Sequence, residues 1–146
     1  MSAEVVRRRR KDVVVNQKVL IVEDEFLIAL DLEDVVTSCG LDVVGIANSA
    51  DRALAAAPLA DIALVDINLS DGATGPEIGR KLAEKGIAVI FMTANPEAVS
   101  GGVEGTLGVV HKPITPRVVR ETLKYAASRR TGQLAAVPSE LRVFQA

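Results

Sequence analysis

From Lys18 onward the sequence alternates short apolar runs, rich in β-branched residues, with longer segments of helical periodicity. The runs at 18–22, 42–46, 62–65, 88–92 and 107–110 predict five strands. Such runs are typical of strands that are buried on both faces of a parallel sheet, where each connection is a crossover helix. The pattern therefore predicts an α/β fold.

The segments between these strands predict the crossover helices. Segments 25–39, 49–57 and 74–85 begin or end at residues that cap or stop helices, and their apolar residues have helical spacing. Segment 95–106 contains Pro96 and three glycines, so we expect only a short or mobile helix there. A last helix is expected from Thr115 and Pro116 to about Arg130. Five β–α units with right-handed crossovers predict a flavodoxin-like doubly wound sheet with strand order 2-1-3-4-5 and five helices.

Length, charge and composition together predict one domain with a tail at each end. A length of 146 residues suits a single domain. Residues 1–16 contain five basic and two acidic side chains, whereas the remainder contains 12 basic and 17 acidic ones. We interpret residues 1–16 as a basic flexible leader rather than a nucleic-acid arm, because no aromatic residues are interleaved with its arginines. Residues 17–130 are then the domain, and residues 131–146 are a C-terminal tail without an output domain.

Several classes of protein are disfavoured by composition. No apolar run reaches the roughly 18 residues of a membrane span, and the apolar stretch at 13–15 is too short for a signal peptide. A single cysteine, Cys39, excludes an intramolecular disulfide framework and a cysteine-rich zinc site. We therefore expect a cytoplasmic protein with no membrane partner.

Polar side chains follow the apolar residues of four of the predicted strands. Glu23 and Asp24 follow the first strand, Asp66 the third, Thr93 the fourth and Lys112 the fifth. Ligands of such sheets bind at the carboxyl ends of the strands. Carboxylates gathered there repel one another unless a cation lies among them, and oxygen ligands of this kind suit Mg²⁺. A lysine and a hydroxyl group beside them suit a phosphoryl group, so the constellation indicates phosphoryl chemistry on a carboxylate.

Four segments carry a family resemblance in their order and spacing. They are VLIVEDE (19–25), LVDINLSDG (64–72), FMTAN (91–95) and VHKPI (110–114). Together these segments resemble the receiver domain of bacterial two-component response regulators over roughly residues 17–130. In its short form, the chain further resembles stand-alone receivers of alphaproteobacterial stress or light signalling.

The resemblance implies a role for each matching residue. Asp66 is expected to be the phosphoacceptor, Asp24 a direct Mg²⁺ ligand and Glu23 a ligand that acts mostly through water. The backbone carbonyl of Asn68 is expected to ligate the metal, and its side chain lies where receivers tune dephosphorylation. Thr93 is expected to supply the switch hydroxyl, and Lys112 is expected to contact the phosphoryl oxygens. The bond between Lys112 and Pro113 is expected to be cis, as is common in the family.

The resemblance also implies partners and a mode of action. A sensor histidine kinase is expected to supply the phosphoryl group, and the product is expected to hydrolyse slowly without the chain being an enzyme in the ordinary sense. Phosphorylation is then expected to alter the face made by the fourth helix, fifth strand and fifth helix, which is also a candidate surface for a homodimer. The readout would be binding of a downstream regulatory protein or withdrawal of phosphate from a shared kinase.

Three features leave alternatives open. Many receivers have an aromatic residue where this chain has Val109, so signalling through an aromatic rotamer is in doubt. The principal alternative function is a non-phosphorylated, receiver-like module that binds a partner constitutively. An independent hydrolase would need a histidine base, and the single histidine, His111, is interpreted as a packing or surface residue.

Overall fold

The computed structural model describes residues 17–144. The predicted basic leader, residues 1–16, lies outside the described residues. Within them, no helix is long and apolar enough to cross a membrane.

The five predicted parallel strands are present, and a sixth strand is added to them. The strands are β1 (Lys18–Val22), β2 (Asp42–Ala47), β3 (Ile62–Asp66), β4 (Ala88–Thr93), β5 (Gly108–His111) and β6 (Leu141–Val143). The order in the sheet is β2-β1-β3-β4-β5-β6, with the first five parallel and β6 antiparallel to β5. The predicted order 2-1-3-4-5 is therefore confirmed.

Four α-helices connect or follow the strands in the described part of the chain. They are α1 (Phe26–Ser38), α2 (Ala50–Ala56), α3 (Gly75–Glu84) and α4 (Pro116–Thr131). Ser49 caps α2 and Thr115 caps α4, since each side-chain oxygen accepts a backbone N–H three residues on. Helix α4 ends at Gly132, whose φ of 73° lies in the left-handed region that favours glycine.

The prediction of five helices was wrong for the fourth crossover. Between β4 and β5 the chain forms only one 3₁₀ turn, Pro96–Val99. Beyond this turn, Gly102 and Gly105 adopt left-handed conformations with φ of 83° and 80°, and these conformations cannot continue a right-handed helix. The predicted face of fourth helix, fifth strand and fifth helix is consequently different here, because the helix is absent and β6 covers the edge of β5.

The sheet is buried on both faces, as the near-continuous apolar strands predicted. Alternate residues of the strands pack with α1 and α4 on one face, and with α2 and α3 on the other. Val19, Leu20, Ile21 and Val22 of β1 have no exposed surface. Because these central strands have no free face, the polar residues that follow them are placed at the rim of a rigid sheet.

Candidate functional site

The carboxyl ends of four neighbouring strands meet at one rim of the sheet. Glu23 follows β1, Asp66 is the last residue of β3, Thr93 is the last residue of β4, and Lys112 follows β5. The first and last of these residues, Glu23 and Lys112, are 89 residues apart along the chain. The parallel register brings them together, since β1 pairs with β3, β3 with β4 and β4 with β5.

Three carboxylates form a compact cluster at this rim. Glu23, Asp24 and Asp66 can each present an oxygen so that all three atoms lie within 4.8 Å of one another. Glu23 is 1% exposed and Asp66 is 6% exposed, whereas Asp24 is partly exposed. Two of the three carboxylates are therefore removed from water. Their mutual repulsion is stronger in the protein interior than it would be in water.

Lys112 bridges the two buried carboxylates. Its Nζ lies 2.8 Å from Glu23 Oε1 and 3.1 Å from Asp66 Oδ2, and its side chain is 18% exposed. The backbone N–H of Lys112 donates to the carbonyl oxygen of Thr93, and the peptide bond between Lys112 and Pro113 is cis, as expected from the resemblance. We refer to Glu23, Asp24, Asp66 and Lys112 together as the acidic site.

One ammonium group does not balance the cluster, and the protonation of Glu23 reflects this. The pKa of Glu23 is raised from 4.5 to about 7, mainly by burial and also by the neighbouring Asp66, while Lys112 partly opposes the rise. Burial alone would lower the pKa of Lys112, but its hydrogen bond to Glu23 and its attraction to both carboxylates outweigh burial and raise it. The lysine therefore stays charged, and the site as a whole retains excess negative charge.

This donor set fits a hard divalent cation. Carboxylate oxygens that converge within a few ångströms, with one of them facing solvent, are the ligands that Mg²⁺ takes up while keeping several waters. The residues present thus suit the metal that the sequence predicted.

The remaining predicted site residues, Asn68 and Thr93, lie at the same rim but contact different groups, and His111 is a surface residue beside them. Asn68 is exposed, and its backbone N–H donates to Asp66 Oδ1 at 3.2 Å. Thr93 is buried, and its hydroxyl accepts the N–H of Asn95 at 3.0 Å. His111 is exposed, and its Nε2 lies 3.0 Å from the carbonyl oxygen of Ala94, so the ring joins the ends of β4 and β5 rather than the acidic site.

Two features of the site were missed from the sequence. Glu23 accepts a hydrogen bond from Lys112 Nζ at 2.8 Å, a contact that the sequence did not predict. Gly75, the first residue of α3, packs closely against the segment that contains Asp66: a Cβ there would lie 2.2 Å from the carbonyl oxygen of Asp66 and 2.5 Å from Ile67 Cα. A glycine immediately before Pro76 at a helix start was the available signal for such a close approach.

Comparisons with known proteins agree with this arrangement. The family model described as response regulator receiver domain matches residues 19–124. The chain is 34% identical over 114 residues to the phyllosphere-induced regulator PhyR of Methylorubrum extorquens, a match that covers 75% of this chain and 43% of that protein. The chain thus spans less than half the length of this curated relative.

Two solved structures are similar in fold and sequence. The receiver domain of PhyR from Erythrobacter litoralis superposes with a TM-score of 0.68 at 31% identity, covering 85% of this chain and 95% of that one. A double mutant of the anti-anti-sigma factor PhyR from Bartonella quintana superposes with a TM-score of 0.71 at 29% identity, covering 88% of this chain and 56% of that one. The residues matched by the family model, 19–124, include the segments that form the acidic site.

Proposed function

The chain belongs to the response regulator receiver family, and on that premise we propose that it accepts a phosphoryl group on Asp66 from a sensor histidine kinase. The observation that carries the proposal is the buried Asp66 carboxylate, which shares Lys112 with Glu23 at the ends of adjacent strands. Receiver domains are signalling modules, so the chain is expected to relay the phosphoryl group rather than turn over a metabolite.

In the proposed reaction a carboxylate oxygen of Asp66 attacks the phosphorus atom of the kinase phosphohistidine. A new O–P bond forms, the P–N bond breaks, and the imidazole leaves with the electron pair. Lys112 is already within hydrogen-bond distance of Asp66, so its ammonium group is placed to neutralise oxygens of the transferred phosphoryl group. The hydroxyl of Thr93, at the end of the neighbouring strand, would exchange its bond with Asn95 for one with the phosphoryl group.

Glu23, Asp24, Asp66 and the backbone carbonyl of Asn68 are the residues that would hold Mg²⁺. When bound, the ion supplies the charge that offsets the carboxylates and the incoming phosphoryl oxygens. Lys112 would contact the phosphoryl oxygens in addition to the charge that the ion supplies. The exposed side chain of Asn68 faces the solvent beside Asp66, where it would affect access of the water that hydrolyses the acyl phosphate.

The start of α1 supplies a surface for the proposed kinase. Phe26 is 69% exposed and Leu27 is 75% exposed, and both directly follow the acidic segment 23–25. Exposed apolar side chains beside a site mark surfaces for protein contact. We propose that the kinase covers this surface when its phosphohistidine reaches Asp66.

The proposed output is protein binding or withdrawal of phosphate from a shared kinase. One structural relative is described as an anti-anti-sigma factor, so a regulator of sigma factors is the class of downstream partner to test first. This chain spans only part of that relative, so membership of the family does not by itself imply such a partner.

The proposal is tested by labelling with acetyl phosphate in the presence of magnesium chloride. Intact mass spectrometry of the wild type is expected to show one added phosphoryl group, and Asp66→Asn is expected to show none, because the amide is not a nucleophile for this transfer. Asp71→Asn is the matched control, since Asp71 is exposed in the same loop and should leave labelling unchanged. Equal labelling of wild type and Asp66→Asn would refute the assignment, and a folded wild type that takes no label would leave the constitutive binding module.

A further inference from the structure

The edge of β5 is occupied by the chain's own C-terminal segment. Leu141–Val143 form β6, with Val110 opposite Leu141 and Gly108 opposite Val143. The strand pairing continues one residue further, since the N–H of Phe144 donates to the carbonyl oxygen of Leu107 at 2.9 Å. We call residues 140–144 the C-terminal strand segment.

Two apolar side chains of this segment enter the protein. Leu141 is 5% exposed and belongs to the core on the α1 and α4 face of the sheet. Phe144 packs against the opposite core, with its ring 6.3 Å from that of Phe91. The Phe144 ring lies beside Gly102, where a Cβ would be in ordinary van der Waals contact with Phe144 Cγ, at 3.5 Å.

The backbone of β5 is shaped for the close approach of a strand. A Cβ at Gly108 would lie 2.4 Å from the carbonyl oxygen of Arg142, so only glycine permits this pairing distance. A missing side chain at the edge of a sheet marks a place where another backbone approaches closely. Gly108 thus fits the edge for any extended segment, whether it comes from this chain or from another.

Charged residues on both sides of the edge match the charges of the segment. Arg117 of α4 forms an ion pair with Glu140, and Glu97 of the 3₁₀ turn lies 4.0 Å from Arg142. The protein therefore presents a basic group, an apolar pocket, an acidic group and an aromatic pocket in sequence along the edge. This arrangement matches a segment with the pattern acidic, apolar, basic, any residue, aromatic.

The connection between α4 and the C-terminal strand segment is exposed. Residues 132–137 between α4 and the buried Pro138 are all exposed, and Leu134 is fully exposed. The segment is consequently held by its own contacts with the edge and not by a packed connection. A short strand of this kind can be replaced by another extended segment that makes the same contacts.

We propose that the β5 edge is a recognition site for an extended peptide segment of a partner protein, and that residues 140–144 fill it in cis. The partner segment has the pattern acidic, apolar, basic, any residue, aromatic, and it adds to the sheet antiparallel to β5. The cis segment competes with it, so the edge is open to the partner only when the C-terminal strand segment leaves.

The test measures binding of a fluorescein-labelled peptide of sequence PSELRVF, residues 138–144, to the full-length chain by fluorescence anisotropy. In the variant Leu141→Asp the cis segment carries a charge where the edge needs a buried apolar group, so the edge should be open. The peptide is expected to bind this variant about tenfold or more tightly than the wild type, because cis occupancy lowers the fraction of competent edge. Leu134→Asp is the matched control, since it makes the same substitution at a fully exposed position and should bind like the wild type.

Two further measurements test whether the peptide binds at the β5 edge through its leucine and phenylalanine. A peptide in which the leucine is replaced by aspartate and the phenylalanine by alanine should not bind, and hydrogen exchange of residues 108–110 should slow when the unchanged peptide is added to Leu141→Asp. If Leu141→Asp does not fold, Phe144→Ala opens the aromatic pocket alone and replaces it in the assay. Equal binding to all chains, or no binding to a folded open variant, would overturn the proposal. A wild-type dimer that the peptide dissociates would also overturn it, because the second copy would then be the occupant.

Discussion

The acidic site at the end of β5 and the C-terminal strand segment along its edge are close neighbours, yet different forces hold them. In the acidic site, buried charges from three distant parts of the chain are bonded to one another, and Glu23 and Asp66 both depend on Lys112. The strand segment instead combines one buried leucine, one half-buried phenylalanine and surface ion pairs. Removing one charged side chain from the acidic site leaves the other buried charges uncompensated. Removing one side chain from the strand segment removes only the stabilisation that this side chain contributes.

Lys112→Met is expected to change the stability of the protein more than any other substitution in this comparison. The substitution keeps most of the side-chain volume but leaves two buried carboxylates without their cation, so the unfolding free energy should fall by about 3 to 5 kcal/mol at pH 8. Magnesium chloride should recover part of this loss by binding to the folded state. Urea unfolding measures both effects, and Lys124→Met, at an exposed position on α4, should change little. A loss below about 1 kcal/mol would show that the charges are not coupled as their distances imply.

The next effect concerns the pH dependence of Glu23. Its pKa is raised from 4.5 to about 7, so the folded state holds this proton more tightly than the unfolded chain does. The contribution of Glu23 to stability therefore decreases as the pH rises from about 5 to 8, by roughly 2 to 3 kcal/mol in metal-free buffer. Glu23→Gln should lack this part of the pH dependence, and the difference between the two unfolding curves isolates it.

Glu104→Gln provides the control for that comparison, because it makes the same substitution at an exposed position outside the acidic site. Magnesium chloride should reduce the decrease in the wild type, since the ion favours the ionised carboxylate. Parallel curves for wild type and Glu23→Gln would contradict the raised pKa.

The strand segment is expected to show a smaller effect. Leu141→Ala removes a buried side chain at the edge of the sheet, where neighbours can partly close the space, so we expect a loss of about 2 kcal/mol. Leu134→Ala, at the fully exposed position in the connection, should stay within about 0.5 kcal/mol of the wild type. If the two variants have the same stability in urea unfolding, β6 does not contribute to the folded state.

The same contrast explains which parts of the molecule could be predicted from the sequence. The acidic site was predictable as a location, because Glu23, Asp66 and Lys112 each interrupt an apolar run where a parallel strand ends. The direct bond between Glu23 and Lys112 was not, since it depends on side-chain conformations at the rim. The sequence indicates only that their strands end at the same edge.

The C-terminal strand segment could not be placed in the same way. Leu141, Val143 and Phe144 were visible as a short apolar patch, but three strand residues carry too little periodicity to distinguish a strand from a tail. Its pairing with β5 depends on Gly108, where a Cβ would clash with the backbone of Arg142, and this close approach becomes apparent only in three dimensions. Conversely, the poor helix propensity of 95–106 was read correctly from its glycines, and the structure contains a single 3₁₀ turn there.

The smallest expected effect is the coupling between the two regions. Leu141 pairs with Val110, two residues before Lys112, so a double-mutant cycle of Lys112→Met and Leu141→Ala tests whether β5 transmits a change from one region to the other. Because no described hydrogen bond or ion pair joins the strand segment to the acidic site, the two losses should add within about 0.5 kcal/mol. The cycle of Glu23→Gln with Lys112→Met is the positive control, since these side chains are bonded at 2.8 Å and should deviate from additivity by more than about 1 kcal/mol. A deviation of that size in the first cycle would mean that opening of the β5 edge and the charge state of the acidic site influence each other through the strand.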